Sequence, residues 1–109
     1  MYEVDTIEKT IDGKRLMVHT CEITDYNILQ VSAGTTGHRE ERQDCITRFT
    51  IRDLGSTDIQ VRPLYPDYGP FKDEAEGVEI TLTGDSELDT IIDGLAFILQ
   101  MLKNGRRRY

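Results

Sequence analysis

Apolar and polar residues alternate along most of the first 83 positions, a pattern with the period of two that β-strands have. Residues 2–11 and 14–24 alternate in this way and are joined by Asp12-Gly13, which is a strong hairpin signal. Four further strands are predicted over residues 28–33, 45–52, 59–63 and 78–83. Val4, Ile7 and Ile11 do not share one parity, so we expect a bulge or twisted start in the first strand. In the second strand the core-facing parity stays ambiguous between the set with Leu16 and Val18 and the set with Met17 and Cys21.

The last quarter of the chain changes to helical spacing. A helix is predicted over about 87–103, started by Ser86 with Asp89 in an arrangement that resembles a capping box, and stopped by Asn104-Gly105. Its core stripe consists of Leu88, Ile91, Ile92, Leu95, Ile98, Leu99 and Leu102. We therefore expect an α+β fold in which an antiparallel sheet of about six strands has this one C-terminal helix packed across one face.

A second stripe on the helix makes its apolar arc wider than one sheet requires. At 100° per residue, this stripe consists of Thr90, Gly94, Phe97 and Met101. It belongs either to a deep core helix under a curled sheet or to the seam of a homodimer, where Gly94 would allow close approach. Both interpretations stay open at this point.

Composition predicts a single domain over residues 1–109, with strands over 2–83 and a basic tail over 104–109. The formal net charge of −7 excludes a protein that follows the phosphates of duplex nucleic acid, because such binding needs a positive face. Carboxylates dominate residues 67–93, where Lys72 is the single cation. This acidic surface either keeps the protein soluble or binds a basic groove on another protein.

Two cysteines, Cys21 and Cys45, lie in alternating segments and predict free thiols in a reducing compartment. The N-terminus has no secretory pattern, and the longest apolar run, residues 95–99, is too short for a membrane span. We expect a protein of a reducing cytoplasm that makes no membrane contact.

The stretch "AGTTG", residues 33–37, invites comparison with a phosphate-binding loop. It lacks the lysine that follows the second glycine in such loops, so the glycines are better explained by relaxed backbone at a strand exit. His38, Glu40, Glu41, Asp44 and Cys45 do not have the repeated spacing of a metal site. The sequence predicts neither a metal nor a cofactor.

No arrangement of residues identifies a reaction. Neither cysteine has a neighbouring histidine, and no nucleophile elbow or paired-carboxylate pattern occurs. We therefore expect a protein that is not an enzyme.

Two surfaces are candidates for binding, and the first is cationic. Arg48, Arg52 and Arg62 share the outward parity of two strands that we expect to pair. Together with Thr35 and Thr36 they could hold an anion, or each arginine could simply pair with a nearby carboxylate.

The second surface is aromatic and acidic. Tyr65, Tyr68 and Phe71 lie in a proline-containing loop flanked by acids, which suits either rigid anchors for a protein partner or caps on the open end of the core. The charged segment after Gly37 is a further candidate for partner binding, as a mobile finger. The predicted partner-binding set is Tyr65, Tyr68, Phe71, His38, Arg39, Glu40, Glu41, Arg42, Glu74, Glu76, Glu79, Glu87, Asp89 and Asp93.

Three segments, "VSAGTTG", "TRFTIRDLGSTDIQVR" and "GVEITLTGDSELDTIIDGLAFIL", resemble a family of small proteins carried by phages and mobile elements of Firmicutes. The resemblance spans most of the chain and rests on structural motifs. In that family the counterpart of residues 38–44 is richer in glycine than "HREERQD" is here.

The resemblance implies an anti-defence protein similar to the anti-CRISPR inhibitors of type II RNA-guided nucleases. Such an inhibitor would bind the CRISPR effector nuclease or its ribonucleoprotein, with Glu74, Glu76, Glu79, Glu87, Asp89 and Asp93 in place of phosphates. One alternative is a sponge for a cyclic nucleotide immune signal, held by Arg48, Arg52, Arg62 and the loop 34–37 at an oligomer interface. Another is a plain interaction module of a mobile element.

Overall fold

The computed structural model describes residues 2–38 and 44–106, and its fold is α+β as predicted. Six antiparallel strands form a four-stranded and a two-stranded sheet, and one C-terminal helix packs on the larger. In chain order the elements are β1 (Val4–Ile11), β2 (Lys14–Thr24), β3 (Ile28–Thr35), β4 (Thr47–Gly55), β5 (Ile59–Leu64), β6 (Gly77–Leu82) and α1 (Asp85–Gly105).

The main sheet is a meander with the strand order β1-β2-β3-β4. The predicted hairpin is confirmed, and both turn residues, Asp12 and Gly13, have the positive φ angles of a tight turn (50° and 78°). Of the two expectations for the first strand, a bulge or a twisted start, the bulge is wrong, because β1 pairs with β2 in an unbroken register. The register shift lies instead between β3 and β4, beside Ile28 and Leu29.

The ambiguous parity of β2 has a structural explanation. Cys21 and Ile23 pair with Val31 and Leu29 and are buried with them under the helix, whereas the parity of Leu16 places it on the opposite face. Leu16 and Val18 are also fully buried, so this strand has buried side chains of both parities.

Strands β5 and β6 form a sheet of their own, so the predicted pairing of β4 with β5 is wrong. The turn that joins β4 to β5 explains why these two strands are separate. The Asp53 carboxylate accepts hydrogen bonds from the backbone N–H groups of Gly55 (2.8 Å) and Thr57 (3.1 Å), and Ser56 has a φ of 58°. This turn directs the chain away from the edge of the main sheet.

The start of the helix differs from the prediction. The N-cap residue is Gly84, whose φ is 124°, and no side chain caps the first turn. Ser86 is instead inside the helix, where its hydroxyl donates to the side-chain oxygen of Asn27. The capping-box prediction is therefore wrong, because tertiary contact takes the serine that would have capped the helix.

The helix face that packs on the sheet is the second stripe. Thr90 and Gly94 are buried, and Phe97 and Met101 pack against the core cluster with Ile98. A Cβ atom on Gly94 would lie 2.9 Å from Cγ1 of Val31, so the glycine allows close approach of helix and sheet. The predicted oligomer seam of Thr90, Gly94, Phe97 and Met101 is therefore wrong, since these residues lie inside the protomer.

Four of the seven residues of the predicted core stripe are exposed instead. Leu88, Ile92, Leu95 and Leu99 are each about half exposed, whereas Ile91, Ile98 and Leu102 turn toward the sheet. The helix lies mainly on β3 and only marginally on β4, where Phe49 is 55% exposed although it pairs with the core residue Ala33. We call Leu88, Ile92, Leu95 and Leu99 the outer stripe.

The chain is broad and flat, with extents of 44 × 43 × 18 Å. Its radius of gyration is 15.9 Å, whereas a compact domain of this length has a value of about 13 Å. The excess comes from the second sheet, which makes no extensive contact with the main sheet or the helix within residues 2–38 and 44–106.

Candidate protein-binding surface

Residues 59–82 form a projecting arm that consists of β5, β6 and the loop between them. Its cross-strand pairs put all the apolar positions of the two strands but Leu64 on one side: Ile59 opposite Leu82, Val61 opposite Ile80, and Pro63 opposite Val78. Val61 is 61% exposed, and the exposed fraction of Val78 is similar. We call these six residues the apolar arm face.

The other side of the arm is polar and pairs opposite charges. Gln60 lies opposite Thr81, and Arg62 lies opposite Glu79. This alternation is what places strand residues on a solvated side and a buried side in ordinary sheets. In this arm most of the side that should be buried, namely Val61, Pro63, Val78 and Ile80, is exposed, whereas Ile59 and Leu82 at the base are half-buried.

The loop at the end of the arm presents its aromatic side chains to solvent. Tyr68 is 85% exposed and Phe71 is 65% exposed, and Tyr65 is exposed as well. Backbone hydrogen bonds from Glu74 to the Phe71 carbonyl (2.9 Å) and from Glu76 to the Leu64 carbonyl (2.8 Å) fold the loop back on the arm. The prediction that these rings are available to a partner thus agrees with their exposure, and the alternative that they cap the core is wrong.

A buried polar network holds the chain where the arm leaves the main sheet. The side-chain nitrogen of Asn27 donates to the hydroxyls of Thr57 (2.9 Å) and Thr90 (3.0 Å), and its oxygen accepts from Ser86. Thr57 in turn donates to the carbonyl of Ile28 (3.0 Å). The network ties the β2–β3 turn, the start of the arm and the helix together, so the arm begins from a fixed point.

A second set of contacts closes the base of the arm. Glu87 accepts a hydrogen bond from the backbone N–H of Asp58 (3.1 Å), and the N–H of Thr83 donates to the carbonyl of Asp58 (3.0 Å). Glu87 is 9% exposed. Its predicted role as an exposed phosphate substitute is therefore wrong, because its carboxylate is used in holding the arm.

The remaining predicted acidic residues fall into two groups. Glu74, Glu76 and Glu79 are exposed on the arm, whereas Asp89 and Asp93 are exposed on the helix. The hydroxyl of Tyr2 donates to Asp93 (3.3 Å), and this contact and burial both raise the pKa of Tyr2, with burial the larger cause. The acids therefore do not form one continuous row, and the arm carries the larger group.

The predicted anion-binding set is not brought together. Arg48 and Arg52 lie on the face of β4 that points away from the helix, while Arg62 is on the arm. Thr35 and Thr36 are buried, and their hydroxyls accept from the backbone N–H groups of Gly37 and Ile46 (both 3.0 Å). Both threonine hydroxyls are used in bracing the strand exit, although Thr35 also borders a cavity there, and the predicted site with the three arginines is not formed, so this part of the prediction is wrong.

The strand exit packs against the end of the helix. A cavity of about 230 Å³ lies between them, lined by residues of both segments that include His38, Cys45, Leu102 and Arg106. His38 is exposed beside this cavity, and its backbone N–H donates a hydrogen bond to the carbonyl of Arg106. The other finger residues predicted to bind a partner, Arg39, Glu40, Glu41 and Arg42, lie outside the described residues.

Both described cysteines are free, and their environments differ. Burial raises the pKa of the Cys21 thiol from its ordinary value to about 11. Hydrogen bonds, first of all from Thr35, lower the pKa of the Cys45 thiol. Cys45 is thus the thiol more available for reaction.

The buried polar network around Asn27, which we call the base network, is the part of the site that the sequence pattern does not reveal. Asn27 reads as one residue of a polar turn, and its contacts with Thr57 and Thr90 are 30 and 63 positions away in the chain. A sequence signal exists only for the neighbouring turn, since Asp53 two residues before Gly55 is typical of a turn in which the aspartate bonds its own backbone.

Two kinds of feature are not found among the described residues. Among residues 2–38 and 44–106, no group of three or more histidine, cysteine or acidic side chains is placed to hold a metal ion. In the same part of the chain, no helix has both the length and the apolarity to cross a membrane. The chain matches no protein-family model, no curated protein and no solved structure.

Proposed function

We propose that this protein is a non-enzymatic inhibitor that binds a protein target through its arm. The observation that carries the proposal is the arm itself, which projects from a fixed base and combines an uncovered apolar face with exposed aromatic rings. Tyrosine is among the side chains that most often dominate binding energy at protein interfaces, and phenylalanine is enriched in their buried cores.

The apolar arm face gives an energetic reason for a partner. A two-stranded hairpin alone is at best marginally stable in water, and it needs another surface against its apolar side. Burial of a valine or isoleucine side chain stabilises a complex by roughly 1.5–3 kcal/mol. Val61, Val78 and Ile80 are therefore poised to contribute to binding and not to the stability of the isolated chain.

The charge of the arm favours a basic target. Residues 59–82 contain five carboxylates and two cations, and three of the carboxylates, Asp73, Glu74 and Glu76, follow directly after Phe71 and Lys72. A groove that holds nucleic acid is lined with arginine and lysine, so an acidic arm can occupy it in place of phosphates.

We place the target among bacterial antiviral defence proteins, as a type II RNA-guided nuclease or its guide-RNA complex. This choice rests on the resemblance of the three sequence segments to mobile-element proteins, and the acidic arm is in keeping with it. The cyclic nucleotide alternative has weaker support, because its arginines lie on two separate sheets and its threonine hydroxyls are engaged.

The test is direct binding of the purified chain to a type II nuclease, with and without guide RNA, together with inhibition of DNA cleavage. We expect the double variant Tyr68→Ala, Phe71→Ala to weaken binding by at least tenfold, because it removes both exposed anchors. Glu74→Lys with Glu76→Lys should slow association and reduce its dependence on salt concentration.

Tyr26→Ala is the matched control. Tyr26 is 92% exposed and lies in the β2–β3 turn, outside residues 59–82, so its removal should leave binding through the aromatic loop unchanged. Absence of binding to the nuclease in either form would reject the proposed target, whereas equal loss with Tyr26→Ala would reject the arm as the binding surface. A rise in melting temperature with a cyclic nucleotide alone would favour the sponge instead.

A further inference from the structure

The outer stripe of the helix has the spacing of a coiled-coil seam. Leu88, Ile92, Leu95 and Leu99 follow one another by four, three and four residues, which is the a/d pattern of a heptad repeat. The next position in the series, Leu102, is half-buried and joins the stripe to the protomer core. Four large aliphatic side chains, each about half exposed, thus form one continuous row along the helix.

Charged residues flank this row in a symmetrical order. At 100° per residue, Asp89, Ala96 and Lys103 fall within about 40° of one another on one side of the outer stripe. Ala96 lies midway between the aspartate and the lysine, which are 14 residues and about 21 Å apart. All three residues are exposed, and neither charged side chain forms an ion pair within the described part of the chain.

We propose that the outer stripe binds a second copy of this chain, in a two-fold symmetric dimer whose two helices run antiparallel. A two-fold axis near Ala96 places Asp89 of one protomer beside the partner's Lys103, and the same pair forms again at the other end. Ala96 permits close approach at the crossing. Between the two charge pairs, the side chain of Ile92 packs against the partner's Leu102, and the side chain of Leu95 packs against the partner's Leu99.

The charges decide between this arrangement and a parallel pair. In a parallel dimer the flank that holds Asp89 and Lys103 would face the other flank of the partner helix, which holds Ile91 and Ile98, so neither charge would meet an opposite charge. Antiparallel pairing gives two attractive contacts that the parallel arrangement lacks. This interface uses neither the apolar arm face nor the aromatic rings, so it is independent of the target-binding proposal.

The first experiment measures mass in solution over a range of concentrations by light scattering or sedimentation equilibrium. We expect the native chain to be a dimer and Leu95→Glu to be a folded monomer with unchanged circular dichroism. Gln100→Glu adds the same charge on the polar side of the helix and should remain a dimer. A native chain that stays monomeric at 100 μM, on the order of the weakest useful dimer affinity, overturns the proposal.

The second experiment reverses the charges. Asp89→Lys alone and Lys103→Asp alone should each weaken dimerisation by about tenfold or more, because each converts both attractive pairs into repulsive ones. The double variant, Asp89→Lys with Lys103→Asp, restores opposite charges and should recover affinity to within about threefold of the native value. A double variant no tighter than the single ones contradicts the antiparallel order. A dimer lost with Val61→Glu but kept with Leu95→Glu would move the interface to the arm and overturn the proposal.

Discussion

At the scale of single residues, Asn27 has the largest structural effect for its size. It is 1% exposed, and both of its side-chain polar atoms have partners from distant parts of the chain. A buried polar group stabilises a fold only when its hydrogen bonds are complete, and in that case it also selects one arrangement of the elements around it. Asn27 thereby fixes the relative positions of the β2–β3 turn, the base of the arm and the helix.

Replacement of Asn27 by alanine tests this role. We expect Asn27→Ala to lower the free energy of unfolding by about 2–4 kcal/mol, because Ser86 loses its acceptor and a buried cavity is left. Chemical denaturation measures the loss. Tyr26→Ala, at the neighbouring exposed position, should change stability by less than about 0.5 kcal/mol. Equal effects of the two substitutions would mean that the network does not hold the base of the arm.

The buried thiol of Cys21 makes stability depend on pH in the alkaline range. Its pKa in the folded chain is about 11, while the ordinary value is near 9. Below pH 9 the thiol is neutral in both states, and between pH 9 and 11 only the unfolded chain loses the proton. The free energy of unfolding should therefore fall as pH rises through this window, by up to about 3 kcal/mol.

Cys21→Val isolates this contribution from other alkaline titrations. The variant keeps an apolar side chain of similar size, so its stability should fall less than that of the native chain between pH 9 and 11. Urea denaturation at a series of pH values gives the difference. Two parallel curves would contradict the assignment of the pH dependence to Cys21.

At the scale of elements, the helix is apolar over more than half of its circumference, and the sheet takes only part of that arc. Gly94 decides which part, because only a residue without a Cβ lets the helix approach Val31 and Leu29 so closely. The larger aliphatic side chains of the outer stripe are consequently left on the surface. Thr90 and Gly94 thus mark the line of closest approach to the sheet, with larger residues such as Phe97 and Ile98 packed beside them.

Substitution at Gly94 tests this packing. We expect Gly94→Val to lower the free energy of unfolding by about 2 kcal/mol or more, because the new side chain overlaps Val31. Gln100→Val has the same β-branched side chain at an exposed position of the same helix, and it should cost less than about 1 kcal/mol. Thermal denaturation compares the two variants. A Gly94→Val protein as stable as Gln100→Val would show that the helix does not rest on β3 at this point.

The alternation and the helical spacing suffice to predict the type and order of every described element. They do not predict how the elements associate, because the same period fits a strand of the main sheet and a strand of the arm. The separation of β4 from β5 depends on the Asp53 turn and on Asn27, whose partners are distant in sequence. For the same reason the exposed rings Tyr68 and Phe71 could be predicted from their loop, whereas the buried role of Glu87 could not.

At the scale of the whole molecule, the chain has two separate uncovered surfaces on one rigid frame. The apolar arm face and the aromatic loop project from the frame, while the outer stripe lies along the helix. A dimer formed by the outer stripe would carry two arms, one from each protomer. If the target offers two sites within the span of the dimer, binding of one arm raises the effective concentration of the other arm at the second site.

Removal of the arm separates the two functions. The N–H of Thr83 lies 3.0 Å from the carbonyl oxygen of Asp58, so two glycines in place of residues 59–82 can join the cut ends with little strain. The base network and the contacts of Glu87 are outside the deleted segment. We therefore expect the shortened chain to remain folded, to remain a dimer by light scattering, and to lose binding to the nuclease. A shortened chain that is folded but monomeric would place the dimer contact on the arm, whereas retained binding to the nuclease would place the target site on the helix or the main sheet.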